Sequence, residues 1–187
     1  MGLVLTRLGR EAGSSVYELS SRGALCRWLR RTYRQVTVSE FFDGVPAGES
    51  WSGVQCQDVE RLTFGDGSFD LVTSTEVFEH VPDDGRGFRE VHRVLRPGGH
   101  LVFTVPLAAV PATVERAVLR NGVIVHLQPP EYHGDRIRGR ARVLAFRTYG
   151  LDIVRRLAAA GFEAAIEQVD DAAHAIDGAK VVVARKR

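Results

Sequence analysis

The chain has 187 residues, 44% hydrophobic and 26% charged, which fits one soluble domain with a sizeable core. A formal net charge of +2 gives a weak overall field, so neither nucleic acid nor an anionic membrane is expected as a partner. The two cysteines, Cys26 and Cys56, form no CxxC or metal-ligand spacing, so buried thiols in a reducing cytoplasmic setting are expected, with no disulfide and no metal.

The first dozen residues read as a short amphipathic helix with Leu3, Leu5 and Leu8 inward. Arg7 and Arg10 break its apolar run, which is too short for a signal-peptide core or a membrane span. Residues 15–19 read as a short apolar strand, and Ser20 to Gly23 as the turn after it. Ala24, Leu25, Trp28 and Leu29 have helical spacing. Residues 36–38 form a second strand that ends at Ser39 and Glu40. A loop rich in Gly and Pro follows over 41–50, then a third short strand over 53–56.

Residues 69–73 are apolar after Asp70, as suits a strand buried on both faces. A helix over 84–95 carries Phe88, Val91, Val94 and Leu95 on one side and stops at Pro97-Gly98-Gly99. Residues 101–105 are the fifth strand. Residues 107–147 lack clear periodicity, and so long a connection reads as a lid or acceptor-binding insertion. An amphipathic helix over 151–160, closed by Gly161, leads to two last strands over 162–169 and 180–184. Strand–helix alternation ending in a strand pair predicts a single α/β domain over 1–187. Its doubly wound sheet has seven strands, mostly parallel with an antiparallel last strand, and helices on both faces.

Three carboxylates fall at or near the carboxyl ends of the first three strands: Glu18, Glu40 and Asp58. In a doubly wound sheet such positions converge beside the topological switch point. Glu40 lies about twenty residues beyond Glu18, the spacing of an acid that meets ribose hydroxyls. The turn ELSSRG has one glycine, so it poorly supports the pyrophosphate of a nicotinamide dinucleotide. An NAD(P)-dependent oxidoreductase is therefore disfavoured. S-Adenosylmethionine has no phosphate, and acids suit its ribose and ammonium.

The segments FDLV, EHV and RVLRPGG in combination, together with VTVSEFF and QDVERLTFGDGS, resemble class I S-adenosylmethionine-dependent methyltransferases of the type 11-like domain. The resemblance runs from about Val16 onward and implies a Rossmann-like fold with S-adenosylmethionine as cofactor. It implies contacts to the adenine at Asp58 and Val59, to the ribose at Glu40, and to the methionine end at Ser74, Thr75 and Glu76. Glu18, Ser20, Ser21 and Gly23 stand where that family's glycine-rich turn meets the amino-acid part, and here the GxG is missing. The resemblance also implies a methyltransferase acting on a small-molecule acceptor, with O-methylation of a sugar or secondary metabolite as the leaning. A methyltransferase-like binding or scaffold protein without turnover is the alternative that the single-glycine turn leaves open. Beyond the fifth strand, Tyr132, His133 and Asp135 cluster where an acceptor enters, with His133 as the candidate base. Arg136, Arg138, Arg140 and Arg142 alternate beside them and read as a solvated lid edge. Glu79 and His80 read as structural, holding the loop after the fourth strand.

Overall fold

The computed structural model describes residues 1–134 and 142–187. In chain order the first half holds α1 (Gly2–Arg7), β1 (Ser15–Glu18), α2 (Gly23–Thr32), β2 (Gln35–Glu40), β3 (Ser50–Trp51), β4 (Val54–Cys56) and β5 (Phe69–Thr75). A 3-10 turn, Phe78–His80, leads into α3 (Asp84–Val94) and β6 (Leu95–Thr104). After six short strands, α4 (Ile153–Ala159) precedes the hairpin β13 (Phe162–Asp171) and β14 (Ile176–Lys186).

These strands form one sheet in the order β13-β14-β6-β5-β1-β2-β4-β3. The run from β6 to β4 is parallel, and β14 lies antiparallel between β6 and β13. The expected seven strands are present, and two-residue β3 adds an antiparallel eighth at the edge. The chain winds from β1 through β2 to β4 on one side, then returns to β5 on the other side of β1. The order therefore reverses between β1 and β5, which opens a crevice at their carboxyl ends.

Successive residues of a strand point to opposite faces, so continuous apolar runs serve two cores. Val4, Leu5 and Leu29 of α1 and α2 cluster with Val16, Leu71, Val102 and Val181. Phe88, Val91, Ile153 and Leu157 of α3 and α4 cluster with Tyr17, Val72, Leu101 and Val182. In α1 the buried pair is Val4 and Leu5, while Leu3 is exposed. At six residues that helix is too short for an i, i+5 stripe to define its inner face.

Two expectations are corrected. The Pro97-Gly98-Gly99 turn lies inside β6, which begins directly at Leu95, opposite Phe69, before the register shifts. Glycine is needed there: a Cβ on Gly99 would sit 2.8 Å from the Arg96 carbonyl oxygen. Nor are the described residues of the segment 107–147 irregular. It contains β7 (Val114–Glu115), β8 (Ala117–Arg120), β9 (Val123–His126), β10 (Tyr132–Gly134) and β11 (Arg142–Leu144), and β12 (Arg147–Thr148) closes it. β8 pairs with β9, β10 with β11, and β7 with β12, each antiparallel. Strands of two to four residues are too short to show a period.

Candidate active site

β1 delivers the Glu18 carboxylate to the floor of the crevice, where only 1% of the residue is exposed. Thr73 Oγ1 of neighbouring β5 donates to Glu18 Oε2, and the Ser20 amide also donates to this carboxylate. Burial outweighs those bonds and pushes the Glu18 pKa up to about 8. A carboxylate so placed is stabilised in its charged form by a cation brought into the crevice. That fits the ammonium of S-adenosylmethionine.

Glu40 ends β2, which pairs in register beside β1. The Ser21 amide and hydroxyl both donate to its Oε1, at 2.7 and 2.8 Å. This cross-link ties the turn after β1 to the acid that ends β2. Gly23 opens α2 with φ of 101°, a left-handed conformation that suits glycine, and a Cβ there would meet nothing within 4 Å. Asp58 follows β4 and accepts the Glu60 amide at 2.9 Å, the local turn bond to which its residue type is suited.

One cavity of about 1290 Å³ opens over these strand ends. Glu18, Ser20, Gly23, Glu40, Asp58, Val59 and Thr75 line it, as do Glu76, His80 and His133. Three expected positions lie outside the lining. Ser21 is committed to Glu40. Ser74 is fully buried because alternate residues of β5 face away from the crevice. Tyr132 is 47% exposed, since it precedes His133 on β10 and points to the opposite face. Asp135 lies outside the described residues, with Arg136, Arg138 and Arg140. Arg142 is exposed on β11.

At its end of the cavity His133 does not stand alone. Its Nδ1 lies 3.7 Å from Glu79 Oε1 and its Nε2 3.3 Å from Glu131 Oε1. Its ring meets that of His80 edge-on, with centroids 4.9 Å apart. His80 does hold the loop after β5, because its Nδ1 is 2.9 Å from the Leu144 carbonyl oxygen. Yet its Nε2 is 3.6 Å from the same Glu79 oxygen. Glu79 has no exposed surface, and burial pushes its pKa up to about 8. Glu76, which lines the cavity, takes a left-handed φ of 52°, an uncommon state for a non-glycine residue.

Sequence reasoning missed what fastens this end. Arg147 is buried and donates to the carbonyl oxygens of Phe78, Val81 and Pro82 around the 3-10 turn. It also pairs with Glu115 at 3.1 Å and with Asp84 at 3.7 Å. Arg156 pairs with Asp84 at 2.6 Å, and the Tyr149 hydroxyl donates to Asp84 at 2.9 Å. These partners hold Asp84 below the ordinary carboxylate range despite its burial. The Phe146 amide donates to the Glu79 carbonyl at 2.7 Å. No local sequence signal announces such a network, because its bonded pairs are 32 to 72 residues apart. The Asn121-Gly122 pair, by contrast, is a recognisable hairpin signal. It turns β8 into β9, and Leu119 and Ile124 beside it line the cavity.

The crevice between β1 and β5, with its ring of strand-end acids, defines the class I S-adenosylmethionine-dependent methyltransferase fold. Residues 18–103 match the family described as a methyltransferase domain. S-Adenosylmethionine is the cofactor of that class. A sarcosine/dimethylglycine N-methyltransferase of Halorhodospira halochloris is 50% identical over 50 residues, 27% of this chain and 18% of that one. A demethylmenaquinone methyltransferase of Mycolicibacterium vanbaalenii is 36% identical over 114 residues, 58% of this chain and 46% of that one. The chain thus spans less than half the length of these two relatives. An S-adenosylmethionine-dependent methyltransferase structure from Mesorhizobium loti superposes with TM-score 0.59 at 22% identity, over 98% of this chain and 96% of the other. Among the described residues no helix is long and apolar enough to cross a membrane.

Proposed function

We propose that this protein transfers the methyl group of S-adenosylmethionine to a small-molecule acceptor, with a hydroxyl oxygen of a sugar or secondary metabolite as the acceptor atom. The carrying observation is the convergence of Glu18, Glu40 and Asp58 on one cavity at the switch point. Glu18 takes the ammonium, Glu40 the ribose hydroxyls, and Asp58 with the Val59 backbone the adenine. The cofactor supplies an electrophilic methyl carbon. The chain's own task is then to orient and to exclude water, the effects that govern a direct displacement.

Ser21 holds Glu40 in place before any ligand arrives, so part of the ordering cost is already met. Leu119 and Ile124 form an apolar wall on the cavity. The acceptor's proton is handled at the cluster of Glu79, His80 and His133. Calorimetry with S-adenosylmethionine and S-adenosylhomocysteine tests the reading. Binding of both is expected, and no heat with either at high micromolar concentration sinks it. A binding protein without turnover is the second reading, favoured by the single glycine of the turn after β1. Retained binding with no methyl acceptance across an acceptor screen would favour it.

A further inference from the structure

We infer that Glu79, His80 and His133 are the protein ligands of a divalent metal ion at the acceptor end of the cavity. The sequence reading expected no metal, because Cys26 and Cys56 form no metal-ligand spacing. The fold brings them together from the turn after β5 and from β10. One oxygen of Glu79, Oε1, lies 3.6 Å from His80 Nε2 and 3.7 Å from His133 Nδ1. The three potential ligand atoms all lie within 4.8 Å of one another. Ligands about 2.0–2.2 Å from one tetrahedral ion stand roughly 3.3–3.6 Å apart. The two glutamate–histidine separations are therefore within a few tenths of an ångström of that geometry.

The hydrogen bonds on the far sides of the rings decide which nitrogens face the cluster as lone pairs. The Leu144 carbonyl can only accept, so His80 carries its proton on Nδ1 and turns the Nε2 lone pair toward Glu79. Glu131 Oε1 accepts from His133 Nε2, which leaves Nδ1 as the lone pair on the Glu79 side. Glu131 is itself held by Arg116 at 3.2 Å. A carbonyl and a carboxylate behind two ligating imidazoles are the usual outer partners of metal-bound histidines.

Glu79 Oε1 thus faces one ring nitrogen of each imidazole. Glu79 is completely buried, and neither of its oxygens has a hydrogen-bond partner among the described residues. Arg147 is nearby, but its nitrogens are engaged with three carbonyls and Glu115. Burial of an unpaired carboxylate is costly, and a cation shared by all three groups removes that cost. Two imidazoles and one carboxylate suit a first-row divalent ion and leave coordination positions open.

His80 and His133 line the cavity, so the open positions face the acceptor. There the ion takes the acceptor's hydroxyl oxygen and acidifies it. The proton passes to solvent, and the oxygen forms its bond to the methyl carbon. The carbon–sulfur bond breaks with its electron pair left on sulfur. This use of the ion rests on the methyltransferase reading, whereas the metal site itself does not.

The test titrates the whole chain, stripped with chelator, with Co²⁺ followed by visible absorption and with Mn²⁺ followed by electron paramagnetic resonance. One ion per chain is expected, with d–d bands for Co²⁺. Glu79→Gln and His133→Gln should weaken binding by at least about 100-fold. Glu131→Gln, a partly exposed change that spares the fold, should weaken it by about 10–100-fold. Asp171→Asn, at the exposed pair of Asp171 with His174, should leave it unchanged. Absence of d–d bands up to millimolar Co²⁺, or equal affinity in all four variants, overturns the inference. Calorimetry with S-adenosylhomocysteine on the stripped protein separates the two readings. Homocysteine-adduct binding without metal binding removes the metal site alone, and metal binding without it removes the methyltransferase reading alone.

Discussion

Glu40 has its Oε1 fixed by two donors from Ser21, so under the proposed function it serves the ribose and the turn after β1 together. Glu40→Ala should weaken S-adenosylhomocysteine binding by about 1.5–3 kcal/mol, the scale of lost charge-assisted hydrogen bonds, as read by calorimetry. Unchanged affinity would remove Glu40 from the ribose site. Glu18 makes a prediction of a different kind. Its folded pKa of about 8 stands above the ordinary 4.5, so the folded protein holds the extra proton between those values. Stability therefore falls as pH rises through that window, the direction required when the native state binds more protons. Thermal melts should decline from pH 5 to pH 8 in the wild type and decline less in Glu18→Gln. A matching slope in both would show that Glu18 ionises normally. Both acids were legible in the sequence, because a strand end in a parallel sheet is a fixed address. Glu79 was not, because what matters there is the partner it meets, and His133 is 54 residues away in a segment with no period.

Elements carry the same contrast. β5 and the helix after it were readable from an apolar run and a 3.6-residue stripe, since both elements bury long faces. The strands between β6 and α4 were not, because they are held by cross-chain pairs rather than by a face of their own. Asn121-Gly122 was the one local signal available, and its φ values of 51° and 76° are those of a two-residue type I′ turn. Arg147 is the chief fastener of this region. Removing its charge leaves Arg156 as the remaining cation at Asp84 and Glu115 and frees three carbonyls around the 3-10 turn. Arg147→Met should cost about 3–5 kcal/mol in urea denaturation, the range for breaking a buried pair from one side. A loss below 1 kcal/mol would mean that Arg156, already paired with both acids, suffices for them.

Over the whole molecule, the cofactor crevice and both cores share the same strands, so ligand binding and folding are linked. S-Adenosylhomocysteine at 100 times its dissociation constant should add about 2.7 kcal/mol of stability. For a chain of this size that raises the melting temperature by roughly 5–11 °C. NAD(P) should leave it unshifted, and a comparable shift with NAD(P) would reopen the oxidoreductase reading. One feature of the architecture reaches further. Leu107 bridges to Tyr149, and the Ala108 amide donates to the Tyr149 carbonyl, so the two ends of the segment between β6 and α4 meet beside the sheet. A detour whose ends already touch adds little closure entropy when its length changes. The residues between them, Glu115 and Arg147 excepted because they fasten Asp84 and the 3-10 turn, are therefore expected to tolerate exchange. Under the proposed function, exchanging them should change acceptor preference while the sheet and its register stay as they are.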